Sequence, residues 1–253
     1  MTIPGEPAPY PSVLHVNFPR MQITLVLLTR NELPCLEIIF PQIPPPSGTA
    51  GYDRVFAVDG GSTDGTVEFF AGHGIEVIGQ SRRGRGDAFL QAFEKAPGDA
   101  WIFFSPDGNE AIADLPRFRP ILEKGADLVI ASRMMKGAVN EEDHQLLKPR
   151  KWANNAFNLL ANARFRKSGP YISDSINGYR AITRTAAQTL QLDAMDYTIE
   201  YQMTMRALKH GLKIVEFPTV EGQRVAGDTG APSIPTGIRF LKRLWRESTL
   251  KTS

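Results

Sequence analysis

Cysteine, long apolar runs and an excess of charge of one sign are all scarce in this chain of 253 residues. Its single cysteine, Cys35, excludes an internal disulfide framework and favours a reducing, cytoplasmic compartment. No run of about 18 uncharged apolar residues occurs, so the sequence predicts no transmembrane helix. The formal net charge is only +2, which gives no argument for nucleic acid as a partner. With 42% hydrophobic and 22% charged residues, the composition suits one large folded domain.

The two ends of the chain differ from the rest. Residues 1–20 contain five prolines and lack both a basic n-region and a continuous apolar stretch, so we expect a flexible leader there. Residues 231–253 form a basic tail whose apolar residues recur at helical spacing: Ile238, Leu241, Leu244 and Trp245. Such a tail could lie on an anionic membrane or pack on its own domain. We expect a cytoplasmic protein, with peripheral attachment to the inner face of a membrane as an alternative.

Apolar runs alternate with helical patterns through the middle of the chain. The runs predict buried strands, which lie at 23–28, 55–58, 75–78, 101–104 and 128–131. Helical periodicity occurs between them at 87–95 and 115–124. We therefore expect a single α/β domain with a mostly parallel central sheet flanked by helices. Ligands bind at the carboxyl ends of the strands in such sheets.

After Ser132 the pattern changes to longer helices, at 152–165 and 198–210, with a short strand at 213–217. We expect this second half of the domain, about residues 133–230, to bind a second substrate. The first half, about residues 21–132, is then expected to bind the first substrate. The stretch 41–51 contains three consecutive prolines and is predicted to be a surface loop.

A polar segment rich in glycine follows the second predicted strand directly. It reads Asp59-Gly-Gly-Ser-Thr-Asp-Gly-Thr66, and its glycines permit positive φ while its aspartates and hydroxyls crowd one strand end. This pattern predicts a tight loop that binds a ligand. The alternative is a plain turn in which Asp64 caps the following helix.

The fourth predicted strand delivers a carboxylate into the turn Ser105-Pro-Asp-Gly-Asn109. Hard oxygen ligands at such a point suit Mg²⁺ or Mn²⁺ shared with a substrate diphosphate, because these ions usually take only one or two protein carboxylates. The same residues also make an ordinary turn.

Together with Thr29-Arg-Asn-Glu32 after the first strand, these segments resemble glycosyltransferase family 2, within its polyprenyl-phosphate branch, which is dolichol-phosphate mannosyltransferase-like. The order and spacing carry the resemblance, which covers about residues 21–230. Further matches follow in the family's order: Gly84-Arg-Gly86, Ser132-Arg133, Asp174-Ser-Ile-Asn-Gly-Tyr-Arg180, Glu200, Glu216-Phe-Pro218 and Arg224-Val-Ala-Gly227. Four positions depart from the family pattern, which has Pro, Tyr, Asp and Asp where this chain has Leu28, Arg30, Gly60 and Ser105.

The resemblance implies a GT-A-like fold and an inverting transfer from a UDP- or GDP-linked sugar with the help of Mg²⁺ or Mn²⁺. Asp107 and Asn109 would hold the metal. The residues that it implies for the nucleotide are Thr29, Arg30, Glu32, Asp59, Gly60, Ser62, Arg85 and Asp107. Apart from the resemblance, Arg85 could equally be a solvated cation beside Arg82 and Arg83.

Two classes of acceptor stay open. A hydroxyl acceptor needs a base, for which Asp174 is the candidate by family position. A lipid phosphate is already anionic and needs cations instead, for which Arg133, Arg150 and Arg224 are available. Asp174 could otherwise be a helix cap or a partner of Arg180.

Two other classes of protein compete with a glycosyltransferase. A nucleotidyltransferase of similar architecture would show a loop with glycine and basic residues after the first strand, which Thr29-Arg-Asn-Glu32 is not. A protein that only binds nucleotide sugars is suggested by the changes at Gly60 and Ser105. The acidic run Glu141-Glu-Asp143 is predicted to be a solvated loop or a mobile cover over the site.

Overall fold

Strands and helices alternate through most of the computed structural model, which describes residues 20–143, 147–226 and 233–250. Apart from Arg20, the predicted leader lies outside these residues. The strands are β1 (Ile23–Thr29), β2 (Arg54–Asp59), β3 (Glu76–Gly79), β4 (Ala100–Phe104), β5 (Leu128–Ser132), β6 (Arg180–Thr183) and β7 (Ile214–Pro218). The helices are α1 (Leu33–Ile39), α2 (Thr66–Gly72), α3 (Arg85–Lys95), α4 (Leu115–Glu123), α5 (Pro149–Phe165), α6 (Arg184–Leu190), α7 (Ile199–His210) and α8 (Ser233–Thr249).

The described strands form one sheet in the order β3-β2-β1-β4-β6-β5-β7. Strand β6 runs antiparallel to its neighbours β4 and β5, and the other pairs are parallel. The predicted mostly parallel sheet is thus confirmed. The strand order reverses between β1 and β4, which places a crevice at the carboxyl ends of these two strands.

Helices cover both faces of the sheet, and the residues of β1 show how. Val26 and Leu28 face a core shared with α3, α5, α6, α7 and α8. Leu25 and Leu27 face a second core shared with α1, α2 and α4. All seven residues of β1 are buried, as expected for a parallel strand covered on both faces.

The glycine-rich segment between β2 and α2 forms hydrogen bonds with the start of α1 as well as with the start of α2. The Asp64 carboxylate accepts hydrogen bonds from the Thr66 backbone N–H (3.0 Å) and from that of Leu33 (3.0 Å). Asp64 therefore ties the start of α2 to the start of α1, although the N-cap residue of α2 is Gly65 and not Asp64 as the alternative predicted. The predicted loop at 41–51 is also confirmed, except that Phe40–Gln42 forms a single 3₁₀ turn.

The C-terminal helix α8 packs on α5 and α7. The Phe240 ring centroid lies 5.2 Å from that of Phe157 and 5.3 Å from that of Tyr201. Glu247, only 1% exposed, accepts hydrogen bonds from Arg206 (2.9 Å) and Gln202 (2.7 Å). One face of the basic tail is therefore packed on the domain.

None of the helices within the described ranges is both long and apolar enough to cross a membrane.

Candidate active site at the ends of β1 and β4

A cavity of about 1120 Å³ opens at the carboxyl ends of β1 and β4 and continues to α5 and α8. Most of the residues predicted for the site line this cavity: Thr29, Arg30, Glu32, Gly60, Arg85, Asp107, Asn109, Arg133, Arg150 and Arg224. Asp59, Ser62 and Asp174 do not line it. The sheet therefore brings together side chains that are up to about two hundred positions apart in the sequence.

Asp59 organises the loop that follows β2. Its Oδ1 accepts hydrogen bonds from the backbone N–H groups of Gly61 (2.9 Å) and Ser62 (2.8 Å). Its Oδ2 accepts from the hydroxyls of Ser62 (2.5 Å) and Thr29 (3.3 Å). Because Asp59 is only 3% exposed and its oxygens are engaged, it holds the loop against the end of β1.

Gly60 and Arg30, two departures from the family pattern, are neighbours in space. A Cβ added to Gly60 would lie 3.2 Å from the Cβ of Arg30 and 3.2 Å from Oε1 of Gln80. The stem of Arg30 therefore fills the space beside Gly60. Both residues line the same end of the cavity, so the two changes alter one region of the site together.

Arg224 bridges two acidic residues across the cavity. Its Nη1 lies 2.7 Å from Oδ2 of Asp107, and its Nη2 lies 3.1 Å from Oε1 of Glu32. Asp107 is 5% exposed, and burial raises its pKa above the usual value, although Arg224 opposes the shift. The loop after β7 thereby meets the turns that follow β1 and β4.

Glu110 supplies a second carboxylate that the sequence patterns did not indicate. Its Oε2 accepts a hydrogen bond from the backbone N–H of Ser105 (2.8 Å), and it lines the cavity. Burial, and then the nearby charge of Asp107, raise the pKa of Glu110 well above its usual value. The available signal was its position three residues after Asp107 in the same turn. Glu110 thus stands beside Ser105, the residue that replaces an aspartate of the family.

The turn after β4 has the donor atoms for a divalent metal shared with a diphosphate. No three His, Cys, Asp or Glu side chains come together as a metal site in the described ranges. However, Oδ1 of Asn109 is buried and has no hydrogen-bond partner among the described atoms, and Asp107 stands two residues away. A buried acceptor without a partner calls for a ligand, and Mg²⁺ or Mn²⁺ takes its remaining ligands from phosphate and water.

Arg85 is held in the cavity wall by an ion pair with Glu200 at the start of α7. Burial alone would lower the pKa of Arg85, but Glu200 raises it above its usual value. A Cβ on Gly178 would approach Nη2 of Arg85 to 2.1 Å, so this contact needs glycine there. Arg85 is therefore not a freely solvated cation. Its partner Glu200 is one of the positions that resemble the family, but the resemblance implied no role for it.

Asp174 is fully buried and bound to Arg133. Arg133 donates to it through Nε (2.8 Å), Nη2 (3.1 Å) and its backbone N–H (3.0 Å). Nη1 of Arg133 reaches Oε1 of Glu221 at 3.0 Å. Burial would raise the pKa of Asp174, but Arg133 outweighs it and the pKa lies below its usual value. The geometry thus does not favour Asp174 as a base, and its ion-pair partner is Arg133 instead of Arg180.

The acidic run 141–143 is tied to the start of α5. Arg150 Nη1 lies 3.1 Å from Glu141 Oε1, and the backbone N–H of Lys151 donates to Glu142 Oε2 (2.9 Å). Glu142 is only 5% exposed, so the prediction of a solvated loop is wrong for this residue. Both Glu141 and Glu142 line the cavity. This is the position at which the alternative prediction, a mobile cover over the site, placed the run.

Comparison with known proteins agrees with this geometry. The model of glycosyl transferase family 2 matches residues 25–189. Glycosyltransferase AglJ of Haloferax volcanii is 31% identical over 208 residues, which cover 78% of this chain and 64% of AglJ. Polyprenol monophosphomannose synthase of Mycolicibacterium smegmatis is 27% identical over 242 residues, which cover 90% of this chain and 88% of that protein. Undecaprenyl-phosphate mannosyltransferase of Micrococcus luteus is 25% identical over 221 residues, covering 83% and 87%.

The fold is shared with solved enzyme structures. Glucosyl-3-phosphoglycerate synthase of Mycobacterium tuberculosis, in complex with Mn²⁺, UDP and phosphoglyceric acid, superposes with a TM-score of 0.69 at 21% identity. The match covers 92% of this chain and 80% of that one. With the family match over most of the sheet, the chain is a glycosyltransferase with a GT-A fold. It belongs to glycosyl transferase family 2.

Proposed function

We propose that this enzyme transfers a sugar from a nucleoside-diphosphate donor to the phosphate of a polyprenyl lipid, with inversion at the anomeric carbon. The proposal rests mainly on the residues that line the cavity between α5 and α8. There Ala153 and Phe157 of α5 and Phe240 of α8 give the cavity an apolar wall, and Arg150 and Arg239 of the same helices line the cavity as well. An isoprenoid chain requires such a wall, whereas a small hydroxyl compound does not. Similarity to the two lipid-phosphate mannosyltransferases supports this acceptor.

The donor occupies the other end in this proposal. Thr29, Arg30 and Gly60 line the part of the cavity next to the loop after β2, where the nucleoside would lie. Asp107 and Asn109 would hold a divalent ion, whose charge would offset the negative charge that develops on the leaving diphosphate. Arg85, fixed by Glu200, lines the same part of the wall and adds a cation on the diphosphate side.

The acceptor phosphate is its own nucleophile. One of its anionic oxygens attacks the anomeric carbon, and the bond from that carbon to the diphosphate oxygen breaks with the electron pair leaving on the diphosphate. No proton has to be removed, so no general base is required. Arg133 and Arg150 orient the phosphate, and Asp174 acts as a positioning residue because it fixes the guanidinium of Arg133.

The test is a pair of acceptors that differ only in the phosphate. A short-chain polyprenyl phosphate and the same polyprenol are incubated with UDP- and GDP-linked sugars and Mg²⁺ or Mn²⁺, and products are measured by mass spectrometry. We expect transfer to the phosphate alone. Equal transfer to the polyprenol would support a hydroxyl acceptor and restore the case for a base. Absence of product with every donor and metal, while a donor still binds, would support a protein that only binds nucleotide sugars.

A further inference from the structure

Helices α5 and α8 expose large apolar side chains side by side. Trp245 is 73% exposed, Leu159 60% and Trp152 57%, although side chains of this kind are usually buried. We name this surface the α5–α8 face, and its members are Trp152, Leu159, Leu160, Ile238, Leu241 and Trp245. A cluster of this kind on a protein surface marks an interaction site.

The two helices run in the same direction and make the face continuous. Near their middles Phe157 contacts Phe240, and near their ends Nη2 of Arg164 donates to the carbonyl oxygen of Ser248 (2.9 Å). Leu160 lies four residues before Arg164, and Leu241 lies seven residues before Ser248. Because residues at these spacings share one side of a helix, both leucines flank the contact between α5 and α8. The exposed apolar side chains therefore form one surface.

A basic strip borders the apolar side chains of α8. Arg239, Lys242 and Arg246 are exposed and follow one another at spacings of three and four residues. Arg243 and Arg246 contact Asp193, Lys242 is exposed, and Arg239 is exposed and also lines the cavity. Tryptophan combined with flanking Lys and Arg is the composition of helices that lie in the interface of an anionic bilayer.

We propose that the α5–α8 face docks on an anionic lipid bilayer. A second copy of the chain is the less favoured occupant, since symmetric pairing through this face would bring the two basic strips together. The starts of both helices also line the cavity, through Ala153 of α5 and Gly237 of α8. A lipid phosphate could therefore enter the cavity from the bilayer surface. Only this last consequence rests on the proposed function; the docking itself does not.

Vesicle co-sedimentation of the full chain tests the docking. We expect binding to phosphatidylcholine vesicles that contain phosphatidylglycerol, and weaker binding at high salt or without the anionic lipid. Trp245→Ser should lower the partition coefficient about tenfold through lost apolar burial. Lys242→Gln should lower it about fivefold, as expected for one basic residue at an anionic surface. An unchanged partition coefficient in both variants would overturn the proposal.

Matched controls separate the face from general surface effects. Ile38 is 52% exposed on α1, on the opposite side of the sheet, and Arg54 is exposed at the start of β2. Ile38→Ser and Arg54→Gln should bind vesicles like the wild type, and thermal unfolding should confirm that all variants fold. The vesicles contain no polyprenyl phosphate, so the result is independent of whether the proposed acceptor is correct.

Tryptophan fluorescence gives a second readout. Brominated lipids should quench emission from Trp152 and Trp245 but not from Trp101, which is 1% exposed in the core. Quenching should fall in Trp152→Phe and Trp245→Phe. If the wild type instead sediments as a dimer that Trp245→Ser dissociates, and its emission is not quenched by the vesicles, a second copy occupies the face and the bilayer proposal is wrong.

Discussion

Arg224 and Asp107 form an ion pair, with Nη1 2.7 Å from Oδ2, that joins the loop after β7 to the turn after β4. The same guanidinium reaches Glu32, so a side chain already neutralises the acidic residues of the proposed metal site. In our proposal Asp107 would give up this contact with Arg224 when it holds a divalent ion. Arg224 is then free to contact the acceptor phosphate, which is the role its position in the family implies.

Arg224→Gln should tighten Mn²⁺ binding to the enzyme without nucleotide, on the order of tenfold, because it removes a competing positive charge next to Asp107. The same variant should transfer sugar more slowly, since it loses a phosphate contact. Titration of Mn²⁺ followed by electron paramagnetic resonance measures the affinity. Arg82→Gln is the control, since Arg82 is 67% exposed and pairs with Asp87 instead. Equal Mn²⁺ affinities in all three proteins would show that Arg224 and the metal do not compete.

Asp107→Asn should lower kcat by about 10²–10³-fold, the usual effect of losing one group that stabilises developing negative charge. Donor binding should also lose its dependence on Mn²⁺, because the charged metal ligand is gone. Calorimetric titration with UDP and GDP, with and without Mn²⁺, measures the second effect. Asp127→Asn serves as the control, since the Asp127 side chain accepts a hydrogen bond from the backbone N–H of Lys213, just before β7, and does not line the cavity. Metal-dependent turnover that survives in Asp107→Asn would contradict the assignment.

Asp174→Asn should destabilise the fold by about 3 kcal/mol, because Arg133 loses most of its counter-charge in a buried position. The pKa of Asp174 is lower in the folded protein than its usual value of 3.8. Its stabilising effect is therefore present above that pH and is lost as the pH falls through the folded value. Urea unfolding at neutral and acidic pH should show the difference between wild type and variant shrinking on acidification.

The kinetics of Asp174→Asn distinguish positioning from base catalysis. A positioning role predicts a raised KM for the phosphate acceptor and an unchanged pH profile of the remaining activity. Loss of the acidic limb of the pH profile, with a normal KM, would identify Asp174 as the base.

Gly60→Asp, which restores the family residue, should weaken nucleotide binding in this chain. Its Cβ would lie 3.2 Å from the Cβ of Arg30, closer than the stem of Arg30 tolerates without moving. The double variant Arg30→Gly/Gly60→Asp, which removes the Cβ of Arg30, should recover affinity beyond the sum of the single effects, as residues in contact do. Thermal shifts with UDP and GDP measure all four proteins. Additive effects would show that the two positions are independent.

Most of the sheet could be predicted because β1, β2, β4 and β5 are continuous apolar runs. Strand β6 could not, since it begins at Arg180, a fully buried charge. Its guanidinium donates to the carbonyl oxygens of Asn177, Ser175 and Glu200, and burial lowers its pKa to about 10. Asn177 and Ser175 are close to Arg180 in the sequence, but Glu200 lies 20 residues further on, so the apolar pattern alone does not predict the strand. Helices α1 and α6 have seven residues each, too few for a clear period.

Site residues could be predicted where they directly follow a strand. Contacts between side chains on different helices could not be predicted. Asp107 and Thr29 stand at the ends of buried runs, so the sheet alone places them together. The pairing of Arg85 with Glu200 depends on the packing of α3 against α7 and on glycine at 178. The order of family motifs therefore located the site, while the contacts within it required the structure.

Strand β6 comes from residues 133–230, the half of the chain predicted to bind the second substrate, yet it lies between β4 and β5 of the first half. The two halves are thus interleaved through one network of backbone hydrogen bonds, and neither can swing as a rigid lobe about a hinge. We expect substrate capture to be confined to the loops at the rim, above all 219–226, which carries Arg224. For the same reason the halves should not fold when expressed as separate fragments, and new specificities would have to arise by loop replacement instead of lobe exchange.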